Sequence, residues 1–214
     1  MNYYANFDVE ADGPSPAFNS MLSLGVVITD SDGNIISEFL GDFEQFPGKI
    51  EDPATMNEFW YRDENNKKEL ARIRKNAKPI TMVMKSLNEF LRNLNAKRIT
   101  WVARPAAYDW QWLNYYQHYY LGNGGTGSLL GGDPKRQAFK AVDASTMRDI
   151  YQIQWGLNPA QMDAKCKEWT DASGFKMTHN PLDDARFQAV VYHKLFDALG
   201  GRKPPPGPLT APRV

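Results

Sequence analysis

Alternating polar and apolar residues mark the first strand of the chain, over Tyr3–Glu10. Because alternate side chains of a strand share a face, Phe7 and Val9 point into apolar packing and Asp8 and Glu10 point to the other face. Two carboxylates on one face raise each other's pKa unless a positive charge lies between them. The pattern therefore predicts a core strand that carries an acidic pair.

Two further strands follow closely. Met21–Thr29 is a nearly continuous apolar run, as in a buried strand, and Ile35–Asp42 has strand character again. The Asp32-Gly33 pair between them is a strong hairpin-turn signal. The first 42 residues therefore predict an antiparallel meander of three strands.

The rest of the chain alternates helical and extended patterns. Proline and glycine delimit several elements, and Asn180-Pro181 and Asp52-Pro53 are helix starts with a capping residue and a proline in the first turn. In chain order the patterns predict a helix from Asp52 that continues over Lys67–Lys75, a helix over Ile80–Leu94, a strand over Ile99–Arg104, a helix over Tyr108–Tyr120, a strand over Ala138–Asp143, and helices over Thr146–Gln152, Gln161–Thr170 and from Asn180 to Gly200.

Two segments are rich in glycine or proline. Leu121–Asp133 lacks the Gly-Lys-Ser/Thr ending of a phosphate-binding loop and follows a helix, so we interpret it as a flexible loop that could act as a lid. From residue 201 onward a Pro/Gly-rich stretch predicts a flexible C-terminal tail. We expect residues 1–200 to form one domain.

Composition and charge limit the cellular locations and the binding partners that we expect for the protein. The chain has 25 basic and 25 acidic residues, so any basic surface must be local. Its one cysteine cannot form an intramolecular disulfide, and no signal segment or long apolar span is visible. We expect a soluble cytoplasmic protein without a membrane partner.

Candidate chemistry centres on carboxylates and one histidine. Oxygen-only ligands favour Mg²⁺ or Mn²⁺, which would neutralise the pair Asp8 and Glu10. Asp109 lies just after the fourth strand, where ligands bind in open α/β sheets. His179 precedes the last helix and Asp184 lies one turn into it, so both can reach one site. Taken singly, each residue could also be a solvated or helix-stabilising side chain.

This set, in this order, resembles the DEDD exonucleases of the ribonuclease H-like superfamily, in the subgroup with a histidine in its third motif. The first motif is Phe7-Asp8-Val9-Glu10, the second is Asp109, and the third runs from His179 to Asp184. The resemblance covers the chain to about Leu199. It implies an α/β ribonuclease H-like fold: a five-stranded mixed sheet, with the antiparallel meander plus two parallel strands, flanked by helices.

The resemblance also implies a reaction. It predicts metal-dependent 3′-5′ hydrolysis of the terminal phosphodiester of RNA or DNA, with release of nucleoside 5′-monophosphates. Two divalent cations, Mg²⁺ or Mn²⁺, would be held by Asp8, Glu10, Asp109 and Asp184, with His179 as general base. The partner would be nucleic acid with a free 3′ end. Relatives include dimers and monomers, so a homodimer is one of the states we expect.

A narrower likeness is to phage exonuclease A and the related bacterial 3′-5′ exoribonucleases. It rests on Asp52–Trp60, although Phe59-Trp60 stands where those proteins have two tryptophans. A threonine-glycine loop that grips the terminal nucleotide in many relatives is also replaced, by Ala11-Asp12-Gly13-Pro14. Residues expected to contact the substrate are Ala11, Asp12, Gly13, Met21, Trp60 and Tyr108.

Other functions remain open at this point. The same fold could be a catalytically inactive module that binds nucleic-acid ends, or a ribonuclease H-like endonuclease. A structural protein with acidic surface decoration is a further alternative. The sequence does not decide between RNA and DNA, or between single and double strands.

Overall fold

A computed structural model describes residues 1–129 and 140–201 of the 214-residue chain. It contains five strands and seven α-helices in the described part. The strands are β1 (Asn2–Ala11), β2 (Met21–Thr29), β3 (Ile35–Asp42), β4 (Arg98–Ala103) and β5 (Val142–Asp143). The helices are α1 (Pro53–Thr55), α2 (Glu64–Asn76), α3 (Ile80–Asn93), α4 (Ala106–Gly122), α5 (Ala144–Gln154), α6 (Pro159–Asp171) and α7 (Pro181–Ala198).

The five strands form one mixed sheet in the order β3-β2-β1-β4-β5. β2 is antiparallel to both β1 and β3, while β4 is parallel to β1 and β5 is parallel to β4. β1 is thus central, with a neighbour on each side. The sheet confirms the predicted meander plus two parallel strands, which is the ribonuclease H-like arrangement.

Helices cover both faces of the sheet. On one face, Phe7 and Trp101 pack in the main core with Met84 of α3 and Trp112 of α4. On the other face, α7 packs on β1 and β2, with Ala185 and Ala189 against Val27 and Tyr192 against Val102. Because Tyr4 belongs to this second face, strand alternation places Asp8 and Glu10 there too. The acidic pair therefore faces α7.

The region between β3 and α2 corrects one prediction. The expected continuous helix from Asp52 is interrupted: α1 passes into a π-helical turn over Met56–Trp60, and α2 begins anew at Glu64. Asp63 caps α2 by accepting hydrogen bonds from the amides of Asn65 and Asn66. Asp52 is an N-cap as predicted, since its side chain accepts from the Thr55 amide.

Two other segments differ from expectation. The predicted strand over 138–143 forms only over Val142–Asp143. Residues 140 and 141 are described but do not pair with β4, and 138 and 139 lie outside the described residues. The described part of the predicted glycine-rich loop is anchored, because Leu129 is buried and its carbonyl accepts a hydrogen bond from the Trp101 indole. Residues 130–133 of that loop and 202–214 of the predicted tail also lie outside the described residues.

Within the described ranges, none of the helices combines the length and the apolar composition needed to span a lipid bilayer.

Candidate active site

The site begins with the acidic pair on β1. Asp8 accepts a 2.7 Å hydrogen bond at Oδ1 from Nε2 of Gln188, which lies one turn after Asp184 on α7. Glu10, two residues along the same face, is 8% exposed. A buried amide donor therefore orients the first carboxylate while leaving its second oxygen available.

A glycine lets α7 approach this pair closely. Gly25 of β2 pairs directly with Asp8 of β1. A Cβ at Gly25 would lie 2.3 Å from the backbone carbonyl carbon of Pro181, the first residue of α7. Asn180 caps the helix by accepting a 3.1 Å hydrogen bond from the Leu182 amide. The missing side chain at Gly25 thus seats the start of α7 beside Asp8.

The seated helix delivers Asp184 and the segment before it. Asp184 is 2% exposed and accepts a 2.7 Å hydrogen bond from the Thr178 amide. His179 has a φ of 62°, in the left-handed region, and its ring packs edge-on against Phe59 at 4.8 Å between centroids. The imidazole is therefore directed by an unusual backbone conformation and by an aromatic neighbour.

Asp109 approaches from the first turn of α4. Its Oδ1 accepts a 3.0 Å hydrogen bond from the amide of Val9, between the two β1 carboxylates. Its Oδ2 is buried and has no hydrogen-bond partner. A buried, unpartnered carboxylate oxygen among other carboxylates is suited to a cation.

Three of these residues converge on one point. In the described part of the chain, one ligand atom each of Glu10, His179 and Asp184 lie within 4.8 Å of one another. The three come from the first strand, the loop before the last helix and that helix itself. Asp8 and Asp109 adjoin this group, since their charges act on its members.

Burial and mutual repulsion raise the pKa values of the β1 carboxylates. Burial, followed by the charges of Asp109, Glu10 and Asp184, raises the pKa of Asp8 well above its usual value. The pKa of Glu10 is likewise raised well above its usual value by burial and by Asp184, Asp109 and Glu69.

The other two carboxylates shift in the same direction. Burial raises the pKa of Asp184 to about 6, although the Thr178 amide and His179 counteract it. Burial raises the pKa of Asp109 to about 7, against the opposing hydrogen bond from Val9. Cations would remove the repulsion and restore the charged forms, so these residues fit a divalent-metal centre.

The residues expected to contact substrate surround the loop after β1 and hold it in place. The Trp60 indole donates a 2.9 Å hydrogen bond to the Ala11 carbonyl, and the Tyr108 hydroxyl donates to the Gly13 carbonyl at 3.2 Å. The Met21 amide donates to the Tyr116 hydroxyl, and Asp12 accepts from the Ser20 amide. Of the six expected residues, Ala11, Asp12, Gly13, Met21 and Trp60 are buried and Tyr108 is half-buried.

Several supporting residues escaped the sequence analysis. Gln188 has no charge and falls within a helical pattern, so nothing marked it. Glu69 looked like part of a solvated charged helix, yet its Oε1 accepts hydrogen bonds from Asn180 at 3.1 Å and Arg72 at 2.8 Å. Arg72 also binds Asp42 of β3 through two hydrogen bonds of 2.7 and 3.0 Å. This chain of contacts anchors the residue next to His179.

The mixed sheet has the ribonuclease H-like strand arrangement, and four carboxylates and a histidine gather where β1, α4 and α7 meet. A family model matches residues 4–196. The chain belongs to the family of the Rv2179c-like 3′-5′ exoribonuclease domain. It is therefore a 3′-5′ exonuclease by family.

Individual relatives agree with this placement. The chain is 27% identical, over 94% of both sequences, to the 3′-5′ DNA exonuclease Cap18 of Escherichia coli. Its fold resembles that of a 3′-exonuclease bound to the histone mRNA stem-loop, with a TM-score of 0.58, 14% identity and coverage of 92% of this chain and 82% of that one.

A second solved structure is the zinc-bound complex of E. coli ExoI with single-stranded DNA. Its TM-score is 0.65 at 14% identity, with coverage of 94% of this chain but 42% of ExoI. The present chain therefore corresponds to less than half of that enzyme. At this identity the likeness establishes the fold.

Proposed function

We propose that this protein hydrolyses the 3′-terminal phosphodiester of a nucleic-acid strand and releases a nucleoside 5′-monophosphate. The observation that carries the proposal is the convergence of Glu10, His179 and Asp184 within 4.8 Å, beside the half-buried Asp8 and the buried Asp109. The narrower likeness to exoribonucleases supports RNA as substrate, and the likeness to Cap18 supports DNA, so both belong in the test.

The cations would be held by Asp8, Glu10, Asp184 and the unpartnered oxygen of Asp109, and Mg²⁺ or Mn²⁺ suits this oxygen-rich set. When bound, two such cations lower the pKa of an attacking water and neutralise charge that builds on the phosphate. Gln188 keeps Asp8 oriented. Val9 keeps Asp109 oriented.

His179 would take the proton from the attacking water. Its position beside Asp184 and Glu10 puts the imidazole within reach of the same centre, and a histidine exchanges protons near neutral pH. The charge of His179 counteracts the rise in the pKa of Asp184, so the two side chains lie close enough to interact electrostatically.

The 3′ nucleotide would lie against the loop after β1. The buried residues of that loop fix the path of its backbone, and the half-buried Tyr108 is held at its edge by Gly13. We therefore propose that the Tyr108 ring and the backbone of Ala11 and Gly13 contact the terminal nucleotide. Asp12 supports the loop instead, because it is 0% exposed and its backbone is hydrogen-bonded to Ser20 and Asp52.

The test is a time course with 5′-labelled single-stranded RNA and DNA of one sequence, in Mn²⁺, Mg²⁺ or chelator. We expect a metal-dependent ladder that shortens from the 3′ end and is absent in Asp8→Ala. A circular or 3′-blocked strand serves as control, since only an endonuclease would cut it. Binding of labelled strands without any cleavage would instead identify an inactive end-binding module.

A further inference from the structure

A second pocket, of about 490 Å³, opens beside the candidate active site. Its lining includes Arg104 at the end of β4, Cys166 of α6 and Phe187 of α7. Phe175, Lys176 and Met177, from the loop that leads to His179, also line it, and further residues of α6 complete the lining: Asp163, Lys167, Thr170 and Asp171. The pocket therefore lies between β4 and the segment that carries the general base.

The strand register places Arg104 near the carboxylates. Val102 of β4 pairs with Asn6 of β1. Arg104 follows Val102 by two residues, as Asp8 follows Asn6 by two. Arg104 also contributes to a pocket lined by α6 and α7, and α7 covers the face that bears Asp8. The guanidinium is therefore at the same end and on the same side of the sheet as the site.

The pocket carries uncompensated positive charge. Its acidic residues are already paired: Asp163 binds Arg148, and Asp171 binds Lys167. Among the described residues, neither Arg104 nor Lys176 takes part in a salt bridge. The pocket therefore differs from the chain as a whole, in which acidic and basic residues are equal in number. With Arg104, Lys167 and Lys176 against Asp163 and Asp171, the lining has one net positive charge, which favours an anionic ligand.

An apolar wall accompanies these cations. Phe175 and Phe187 are half-buried and Met177 is 53% exposed. Such side chains offer a surface for a nucleobase, while cations bind its phosphate. Met177 also lines the neighbouring pocket that contains Thr178 and Asn180, so the surface is continuous with the flanks of His179.

We propose that this pocket binds a phosphodiester of the substrate strand, with Arg104 and Lys176 on the phosphate and the adjacent base against the apolar wall. The inference rests on the proposed function. In a 3′-5′ exonuclease only one nucleotide lies beyond the scissile bond, so this phosphodiester must lie on the 5′ side of the cut. The pocket is therefore filled only by strands longer than a dinucleotide.

The test compares Lys176→Gln, Arg104→Gln and the double variant with the wild type. For the double variant we expect KM for an oligonucleotide to rise roughly tenfold with kcat retained, the ratio that loss of a charge-assisted contact produces. KM for a dinucleotide should stay unchanged, because a dinucleotide does not reach the pocket. The salt dependence of single-strand binding should weaken by about 0.7 in log–log slope per lost phosphate contact.

Replacing one phosphodiester of the substrate with an uncharged linkage identifies which phosphate the pocket binds. Methylphosphonate placed at successive internal positions should raise the wild-type KM at one position, and this penalty should vanish in the double variant. Arg104→Lys keeps the charge and should retain most of the affinity. Lys75→Gln with Lys78→Gln is the matched control, since these two exposed lysines line a separate pocket of about 710 Å³ beside β3.

Several results would overturn the inference. A KM that rises equally for dinucleotide and oligonucleotide would do so, as would a methylphosphonate penalty that persists in the double variant or an equal effect of the control pair. If the wild type hydrolyses no strand, the proposed function fails instead. Fluorescence anisotropy of a labelled strand would then test the pocket independently, and equal affinity of wild type and double variant would refute it.

Discussion

His179 combines the role proposed for it as a base with a left-handed backbone conformation that few residues adopt. Its φ of 62° is one of two positive values at non-glycine residues in the described chain, the other being at Asn95. Histidine and asparagine enter this region more readily than most residues. The neighbouring hydrogen bonds of Thr178 and the Phe59 ring hold the conformation. The effect of the backbone conformation at residue 179 can therefore be measured separately from the effect of the imidazole, by choosing suitable substitutions.

Replacing His179 by asparagine or alanine tests this separation. Both variants lack a base, so hydrolysis should slow roughly 10²–10⁴-fold, while Mn²⁺ affinity changes little. His179→Asn should keep the melting temperature, whereas His179→Ala should lose stability on the order of 1 kcal/mol from the backbone conformation. Turnover, calorimetric Mn²⁺ titration and thermal melts measure the three effects. Full activity of either variant would exclude His179 as the base.

At the scale of elements, the contact between β2 and α7 sets the geometry of the site. Gly25 lies opposite Asp8 and under Pro181. One β-carbon there would push the helix start away from the sheet, and Asp184 would move with it. The distance between the two carboxylate-bearing elements is thus fixed by the absence of a side chain.

Gly25→Ala should therefore weaken both stability and metal binding. We expect a loss of about 1–3 kcal/mol in the free energy of unfolding, as in other overpacked sites, and weaker binding of Mn²⁺ with slower hydrolysis. Gly122→Ala is the control, because a β-carbon there meets nothing within 4 Å. Wild-type Mn²⁺ affinity in Gly25→Ala would show that another contact seats α7.

Much of this architecture was predictable from local pattern. The bounds of β2 and β3 agree with the sequence analysis because a strong turn and an apolar run mark them. The sequence analysis missed the break before α2, because Asp63 lies among other charged residues and a capping aspartate cannot be distinguished from them. Gln188 and Glu69 act through contacts across elements, and Gly25 was hidden within an apolar strand. Such roles depend on contacts between elements that are distant in sequence, and the hydrophobic periodicity of a single element does not predict these contacts.

At the scale of the whole molecule, net charge is zero but charge is unevenly placed. Four carboxylates, three of them buried, repel one another at the sheet end, and Arg104 and Lys176, which form no salt bridge with the described residues, line the adjacent pocket. The raised pKa values connect this arrangement to stability. Protons or cations stabilise the folded carboxylate cluster, so the protein without metal should respond to pH.

The sign of this response follows from the raised pKa values. Folded pKa values of about 6 for Asp184 and about 7 for Asp109 exceed the unfolded value of about 3.9. The folded state therefore holds more protons, and stability without metal should fall as pH rises from about 5 to 7.5. Where the folded and unfolded pKa values of one carboxyl differ by about 1, the free energy of unfolding changes by about 1.4 kcal/mol.

Thermal melts in chelator across this range would measure the decline. Asp8→Asn keeps the acceptor for Gln188 but removes one charge, so its decline should be shallower and its stability at neutral pH higher. Saturating Mn²⁺ should reverse the trend, because the deprotonated carboxylates bind the cation. A wild-type stability that is flat between about pH 5 and 7.5 without metal would contradict the raised pKa values.

The site joins parts of the chain that are far apart in sequence: Asp8 lies in β1, and His179 and Asp184 lie at the start of α7. During synthesis the ribosome would complete the sheet and most of the flanking helices before α7 emerges. Until that helix docks over Gly25, the nascent chain lacks His179 and Asp184 beside the β1 carboxylates. The proposed hydrolysis would therefore begin only after α7 has left the ribosome and docked on the sheet.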